Sequence, residues 1–158
     1  MKKIFFFILV LSSLFAEAQT KTIAGLKYNI LTAASGEEKV KAIFALCELG
    51  YTVHPDTLMN YAETARVISI QLKNLHDEVQ AMYYQCGALT TKGFIDSSLA
   101  VADKCLDILS SKLNDPSLQA NLYNQKGRCF VRKNQYKEAI DMGYRTISWA
   151  EKSNDILL

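Results

Sequence analysis

The stretch Gln119–Trp149, QANLYNQKGRCFVRKNQYKEAIDMGYRTISW, is the part of this chain that best predicts its fold. Its first half has the apolar spacing of a helix, with one stripe formed by Leu122, Tyr123, Gly127 and Phe130. A polar break follows at residues 133–135. The second half predicts another helix, whose stripe is formed by Tyr136, Ala139, Ile140, Gly143, Ile147 and Ala150. Two antiparallel helices joined by a tight turn are therefore expected.

Small residues indicate where these two helices approach each other. Gly127 has no side chain on the stripe of the first helix, and Ala139 has a small one on the stripe of the second. Tyr123 and Phe130 are expected to fill the space beside the glycine, and Tyr136 to pack with them after the turn. We expect close helix–helix packing at this point.

Identical or similar residues recur 40 positions apart along the chain. The pairs are Tyr83 and Tyr123, Gly87 and Gly127, Asp56 and Asp96, Ala62 and Ala102, and Ala65 and Cys105. A fixed period with like residues at like phases is typical of helical repeat arrays. Tyr83, Gly87 and Ala102 are accordingly expected to pack in one unit as their counterparts do in the next. Asp56 and Asp96 are expected to cap the second helix of their pairs.

An aromatic residue, a glycine four positions later, a second aromatic, and a tyrosine and an alanine after a turn together resemble the tetratricopeptide repeat (TPR). In this chain the residues are Tyr123, Gly127, Phe130, Tyr136 and Ala139. The resemblance covers three units, near residues 37–76, 77–115 and 116–155, each longer than the common unit of about 34 residues. It implies an all-α, right-handed solenoid of helical hairpins over residues 35–158. HEAT repeats have a similar period, but the Tyr-x3-Gly pattern favours the TPR.

The chain begins like a secreted protein. A basic start at residues 1–3, an apolar run at residues 4–15 and small residues at Ala16 and Ala18 predict a signal peptide over residues 1–18. The alternative is an uncleaved anchor, although the apolar run is shorter than the roughly 20 residues that span a bilayer. A leading helix or linker is expected over residues 19–34. The protein is thus expected in the periplasm or outside the cell.

Charge and composition narrow the classes of partner and fold. The formal charge is +2 over 158 residues, which is too small to indicate binding to nucleic acid or to a membrane surface. Stable membrane insertion of the mature segment is expected only if a span follows it. Two prolines and seven glycines leave little room for β-turns, which favours an all-α fold.

The four cysteines are Cys47, Cys86, Cys105 and Cys129. They form no CxxC pair, and the chain has only two histidines, so a zinc site is poorly supported. Their places on helical stripes favour small buried core residues. A disulfide between neighbouring helices is the alternative, because export would allow one to persist.

The sequence lacks motifs typical of catalytic, phosphate-binding or metal-binding sites. His54 and His76 fall near predicted connections, with no nucleophile or carboxylate at a spacing that indicates a triad. A phosphate-binding glycine loop and a cluster of metal ligands are also missing. We predict no catalytic residues, no metal and no cofactor here, so any enzymatic activity would lie in a domain beyond residue 158.

The TPR resemblance implies a protein or peptide partner. In TPR arrays the first helix of each pair lines a concave groove that holds the ligand. Carried onto this chain, the groove-facing positions are Tyr84, Lys92, Asn121, Asn124, Arg128 and Arg132. Arginine and asparagine can bind a carboxylate or a peptide backbone, and tyrosine can anchor an apolar side chain. The alternative, which residue type alone favours, is an ordinary solvated surface.

Two functions are compatible with these patterns. The first is an exported interaction scaffold that binds a peptide or protein segment. The second is the sensory or assembly region of a larger membrane signalling protein, a histidine kinase or transcriptional regulator, because long-unit arrays of this kind precede such domains in Gram-negative bacteria. Residues 154–158 resemble the start of a further unit, so we expect either a chain continued beyond them or dimerisation through this end.

Overall fold

The computed structural model describes residues 22–153, except the side chain at position 51, as seven α-helices without strands. The helices are α1 (Ile23–Thr32), α2 (Gly36–Cys47), α3 (Pro55–Gln71), α4 (Leu75–Lys92), α5 (Ile95–Lys112), α6 (Pro116–Arg132) and α7 (Tyr136–Ser153). A 3-10 turn at Gly50–Thr52 follows α2. The all-α expectation is confirmed for this range. The predicted signal peptide and residues 154–158 lie outside it.

None of the helices in the described range is both long enough and apolar enough to cross a membrane.

Local capping interactions begin and end several helices. Ser35 Oγ accepts from the Glu38 amide at 3.1 Å, and the Glu38 carboxylate accepts from the Ala34 amide at 2.9 Å. Asp115 Oδ1 accepts from the Leu118 amide at 2.9 Å, with Pro116 at the first position of α6. Gly93 ends α4 with a φ of 87°, a conformation that favours glycine.

Asp56 and Asp96 do not cap their helices, which corrects the expectation for both. α3 and α5 begin one residue before each aspartate, so both carboxylates lie in the first turn. His54 is the N-cap of α3 instead, and Phe94 occupies that position before α5. Each carboxylate instead accepts from a lysine at the end of the next helix along the chain. Asp56 accepts from Lys92 at the end of α4 at 2.5 Å, and Asp96 accepts from Lys133 directly after α6 at 2.7 Å.

The core consists of two clusters that share α4. The first joins α1, α2 and α3 with two small residues of α4, Ala81 and Ala88. The second joins α5 and α6 with Val79, Met82 and Cys86, which lie on a different side of α4. α4 is therefore buried on two sides, whereas α1 contributes only Leu26 and Ile30 at one edge.

All four cysteines are buried free thiols, as expected for small core residues. Burial, followed by the charge of Glu48, raises the pKa of Cys47 to about 12. A hydrogen bond with Cys105, and then burial, raise the pKa of Cys86 far above its ordinary value. Cys47 and Cys86 are therefore neutral near pH 7, and all four cysteines pack as small apolar side chains.

Packing between α6 and α7 depends on Gly127. A Cβ atom there would lie 3.4 Å from Met142 Cβ and 3.6 Å from the Ala139 carbonyl oxygen. The face of α7 that meets α6 includes Met142 and Ala150, which are its two buried residues in the described chain. Gly127 and Ala139 therefore lie where α6 and α7 approach each other most closely.

The expected packing of Tyr136, Ile140 and Ile147 is wrong. All three are exposed, and the Tyr136 hydroxyl donates to Asn134 Oδ1 at 3.0 Å. At 100° per residue these side chains lie about 120° or more around the helix from Met142, whose Cβ atom is the one nearest to Gly127 of α6. They therefore face away from α6.

Candidate functional site

A cavity of about 330 Å³ lies where α2, α4 and α6 come together; we call it the first cavity. α4 contacts both α2 and α6, so side chains from three alternate helices reach it. Its lining comprises Cys47, Glu48, Gly50, Leu58, Gln80, Tyr83, Tyr84, Gly87, Ala88, Thr91, Asn121, Gln125 and Arg128. Amides, a guanidinium, a carboxylate and aromatic rings therefore surround one concave space.

Gly87 leaves part of this cavity open. A Cβ atom at Gly87 would meet no atom within 4 Å, although the repeat pattern predicts a packing role like that of Gly127. That prediction is wrong, because Gly87 faces the first cavity rather than a neighbouring helix. A larger residue at this position would occupy the cavity itself.

Buried hydrogen bonds position the polar wall of the cavity. Gln125 is only 2% exposed, and its Nε2 atom donates to Thr90 Oγ1 at 2.6 Å. Its Oε1 atom accepts from Arg128 Nη1 at 3.2 Å. Thr90 in turn donates to the Cys86 carbonyl at 2.9 Å and contacts Ser98 Oγ at 2.9 Å. Because buried polar groups hold each other in defined orientations, Gln125 fixes one direction of the Arg128 guanidinium.

Gln125 is absent from the predicted site residues. It lies three residues after Leu122 and four before Cys129, so it shares the buried stripe of α6. A glutamine on an apolar stripe needs buried hydrogen-bond partners, so its position in the sequence already indicated a polar cluster inside the fold.

Arg128 also lines a second cavity of about 380 Å³, between α6 and α7. The lining of this second cavity comprises Asn124, Gly127, Arg128, Val131, Arg132, Ala139 and Gly143. Partial burial and then the charge of Arg132 lower the pKa of the Arg128 guanidinium, which nevertheless stays protonated at neutral pH. Two neighbouring cations, one of them partly desolvated, favour an anionic group of a ligand at this place.

Tyr84 provides the aromatic side of the first cavity. Its ring centroid is 5.4 Å from that of Phe44 and 5.2 Å from that of Tyr83. The hydroxyl accepts from Gln80 Nε2 at 3.3 Å. Burial raises the pKa of Tyr84 well above its ordinary value, so the phenol is neutral at physiological pH. The side chain can offer a ligand an apolar ring edge.

The structure places five of the six predicted partner-binding residues at the two cavities. Tyr84, Asn121 and Arg128 line the first cavity. Asn124 and Arg132 line the second. Lys92 lines neither, because its ammonium group donates to Asp56 at 2.5 Å and lies 5.7 Å from the centroid of the Phe94 ring. We therefore exclude Lys92 from the candidate site.

Among residues 22–153, metal-ligating side chains do not gather in groups of three or more that could hold a metal ion.

Comparisons of the chain with protein-family models, with curated proteins and with solved structures found no match. The function must therefore be inferred from the residues of this chain.

Proposed function

We propose that this protein is an exported, non-enzymatic interaction scaffold that binds an extended peptide or protein segment in a concave groove. The observation that carries the proposal is the first cavity, which receives side chains from α2, α4 and α6. Its volume of about 330 Å³ lies within the range of known ligand sites and suits a few peptide side chains. Export rests on the signal-like sequence of residues 1–18.

A TPR-like solenoid of three hairpins explains why alternate helices share the groove. α3, α5 and α7 begin at Pro55, Ile95 and Tyr136, which are 40 and 41 positions apart. The Asp56–Lys92 and Asp96–Lys133 ion pairs join helices at equivalent places in successive pairs. These regularities support a period near 40 residues and a right-handed array in which each hairpin repeats the previous one.

The chemistry of the lining favours a segment that carries a carboxylate. Arg128 and Arg132 can receive an Asp or Glu side chain, since guanidinium groups bind carboxylates through paired hydrogen bonds. Asn121 and Gln80 can bond to the peptide backbone, and Tyr84 can contact an apolar residue. We expect the preferred ligand to combine an acidic residue with a neighbouring apolar one.

A peptide selection with a blocked groove tests this function. A random 12-residue phage-displayed library is selected on the purified chain after depletion on Gly87→Leu, whose new side chain fills the first cavity. Peptides enriched in this way are then measured by fluorescence anisotropy. Gly87→Leu is expected to weaken binding at least about tenfold, through steric exclusion from the cavity. Ala100→Leu, at an exposed position of α5, is the control and leaves binding unchanged.

The arginine pair is tested with the same selected peptides. Arg132→Glu is expected to weaken peptide binding, and the double variant with Arg128→Glu is expected to weaken it further. A peptide whose acidic residue is changed to the corresponding amide should bind the wild type and these variants with similar affinity. Thermal unfolding is recorded for every variant so that loss of fold is detected. Failure to enrich any peptide beyond the Gly87→Leu background would contradict the groove function.

A further inference from the structure

The outer side of α7 carries a continuous apolar stripe. It consists of Tyr136, Ile140, Tyr144 and Ile147, which are 61%, 60%, 70% and 57% exposed. Their spacing of four, four and three residues aligns them over about 16 Å of one helix face. Single exposed apolar residues are common, but a contiguous set of this kind marks an interaction surface.

Gly143 lies at the border of this stripe, beside the second cavity that it also lines. A Cβ atom there would meet nothing within 4 Å. Glycine in a helix interior is destabilising relative to alanine, and no packed neighbour in the described chain requires a glycine here. Close approach of a second helix at this point gives it a role.

The stripe is nearly symmetric about residue 142, which suits a second copy of α7 in the opposite direction. In that arrangement Tyr136 of one copy meets Ile147 of the other, and Ile140 meets Tyr144. Lys137 of one copy then lies about one helical turn from Glu151 of the other. A parallel arrangement would instead place Lys137 beside Lys137, which is unfavourable. α7 has three basic and three acidic residues, so two copies do not repel each other by net charge.

The exposed area is sufficient for a specific, reversible dimer. With about 150–250 Å² for a fully exposed aromatic side chain and similar values for isoleucine, the stripe offers roughly 500 Å² on each chain. If both stripes are covered completely, they bury about 1,000 Å² in total, which is the size of a weak, reversible interface and lies below the roughly 1,200 Å² of stable ones. Apolar residues at the centre with charged residues at the rim match the usual arrangement of such interfaces.

We propose that this protein forms a symmetric dimer in which α7 packs antiparallel against α7 of a second copy and crosses it near residue 142, next to Gly143. The dimer places the two peptide grooves on separate bodies joined through α7. It uses residues other than those of the peptide-binding function, because none of the residues Tyr136, Ile140, Tyr144 and Ile147 lines either cavity.

Sedimentation velocity over a concentration series tests the association. The purified chain is expected to show a concentration-dependent monomer–dimer equilibrium. Ile140→Asp places a charge in the stripe and should weaken dimerisation at least about tenfold. Ile70→Asp is the matched control, since Ile70 is 46% exposed on α3 and lies outside the stripe. It should leave dimerisation unchanged, and circular dichroism should show that both variants are folded.

Introduced cysteines test the direction of packing. Gly143→Cys lies next to the crossing point and should form a disulfide with its own copy under mild oxidation by oxidised glutathione, each new bond releasing two reduced glutathione thiols. Tyr136→Cys should not, because antiparallel packing separates the two copies of residue 136 by about 16 Å along the helix axis. A mixture of Tyr136→Cys and Ile147→Cys should cross-link as a heterodimer. The native cysteines are buried and should not form cross-links between copies.

Three results would overturn the proposal. A monomer at every concentration would assign the stripe to another partner or to another segment of the chain. A dimer insensitive to Ile140→Asp would place the interface elsewhere. Self-cross-linking of Tyr136→Cys would show a parallel arrangement. None of these results depends on whether a peptide occupies the groove.

Discussion

Glycine at three helix-interior positions has three different surroundings in this chain. Gly127 is close to Met142 and Ala139 of the packed helix α7. Gly87 lines the first cavity, and Gly143 lines the second cavity at the border of the apolar stripe. A side chain added at Gly127 is therefore expected to affect helix packing, one at Gly87 to affect ligand binding, and one at Gly143 to affect self-association.

Substitution of Gly127 should show a sharp dependence on size. A Cβ atom at this position makes contacts of 3.4 and 3.6 Å, which are within ordinary van der Waals range. Gly127→Ala is thus expected to fold and to gain up to about 1 kcal/mol from helix propensity. Gly127→Leu has no room between α6 and α7 and should lose about 1–3 kcal/mol. Urea unfolding measures both values; equal midpoints for alanine and leucine would contradict the packing described.

His76 makes stability depend on pH at the start of α4. Its Nε2 atom is 2.8 Å from Asp115 Oδ2, and its Nδ1 atom is 3.4 Å from Asp77 Oδ1. Burial lowers the pKa of His76, but hydrogen bonds and charge attraction to Asp115 and Asp77 outweigh it and raise the pKa above 6.5. The folded protein therefore binds the histidine proton more tightly than the unfolded chain does.

Protonated His76 should stabilise the fold most at low pH. Its contribution is complete below the unfolded pKa and is lost as pH rises through the raised folded pKa. Comparison of His76→Asn with the wild type at about pH 5.5 and about pH 8.5 brackets the ordinary histidine pKa. We expect the difference in thermal midpoint to be larger at the lower pH. A difference independent of pH would show that the ion pairs add no proton-linked stability.

At the scale of helices, burial is unequal along the chain. α4 buries residues on two sides, whereas α7 buries Met142 and Ala150 within the described chain. The regular capping of α2 and α6 shows that local signals define where a helix begins. Local signals do not define how stable a helix is within the fold, because that stability depends on packing against neighbouring helices.

Hydrogen exchange should reveal this inequality. Amides of α4 are expected to require nearly global unfolding for exchange, while those of α7 exchange through a local opening of lower free energy. The measurement is made on Ile140→Asp as well as the wild type, so that self-association does not protect α7. Equal protection of α4 and α7 in that variant would contradict the expected order of stability.

At the scale of the whole molecule, ion pairs and alternate helix contacts connect one hairpin with the next. Asp56–Lys92 and Asp96–Lys133 involve residues far apart in sequence, and each joins the start of one helix to the end of another. The aspartates are visible as equivalent positions in the sequence, but their lysine partners are not. Pairing between hairpins required the helices to be placed in space.

The sequence by itself determined the all-helical fold, the positions of most helix ends, and caps such as Ser35 and Asp115. These features depend on residue spacing and on hydrogen bonds between residues close in sequence, so they can be predicted from a single sequence. Five of the six predicted groove residues also line the two cavities, because a shared helix face follows from spacing of three and four.

Only the tertiary structure decided which apolar residues are covered. Gly87 and Gly127 have the same sequence context 40 positions apart, yet one faces a cavity and the other a packed helix. Tyr136 has the spacing of a core residue and is exposed. Spacing defines a face of a helix, whereas burial depends on whether a neighbouring element lies against that face. That neighbour is a property of the assembled fold rather than of the local sequence.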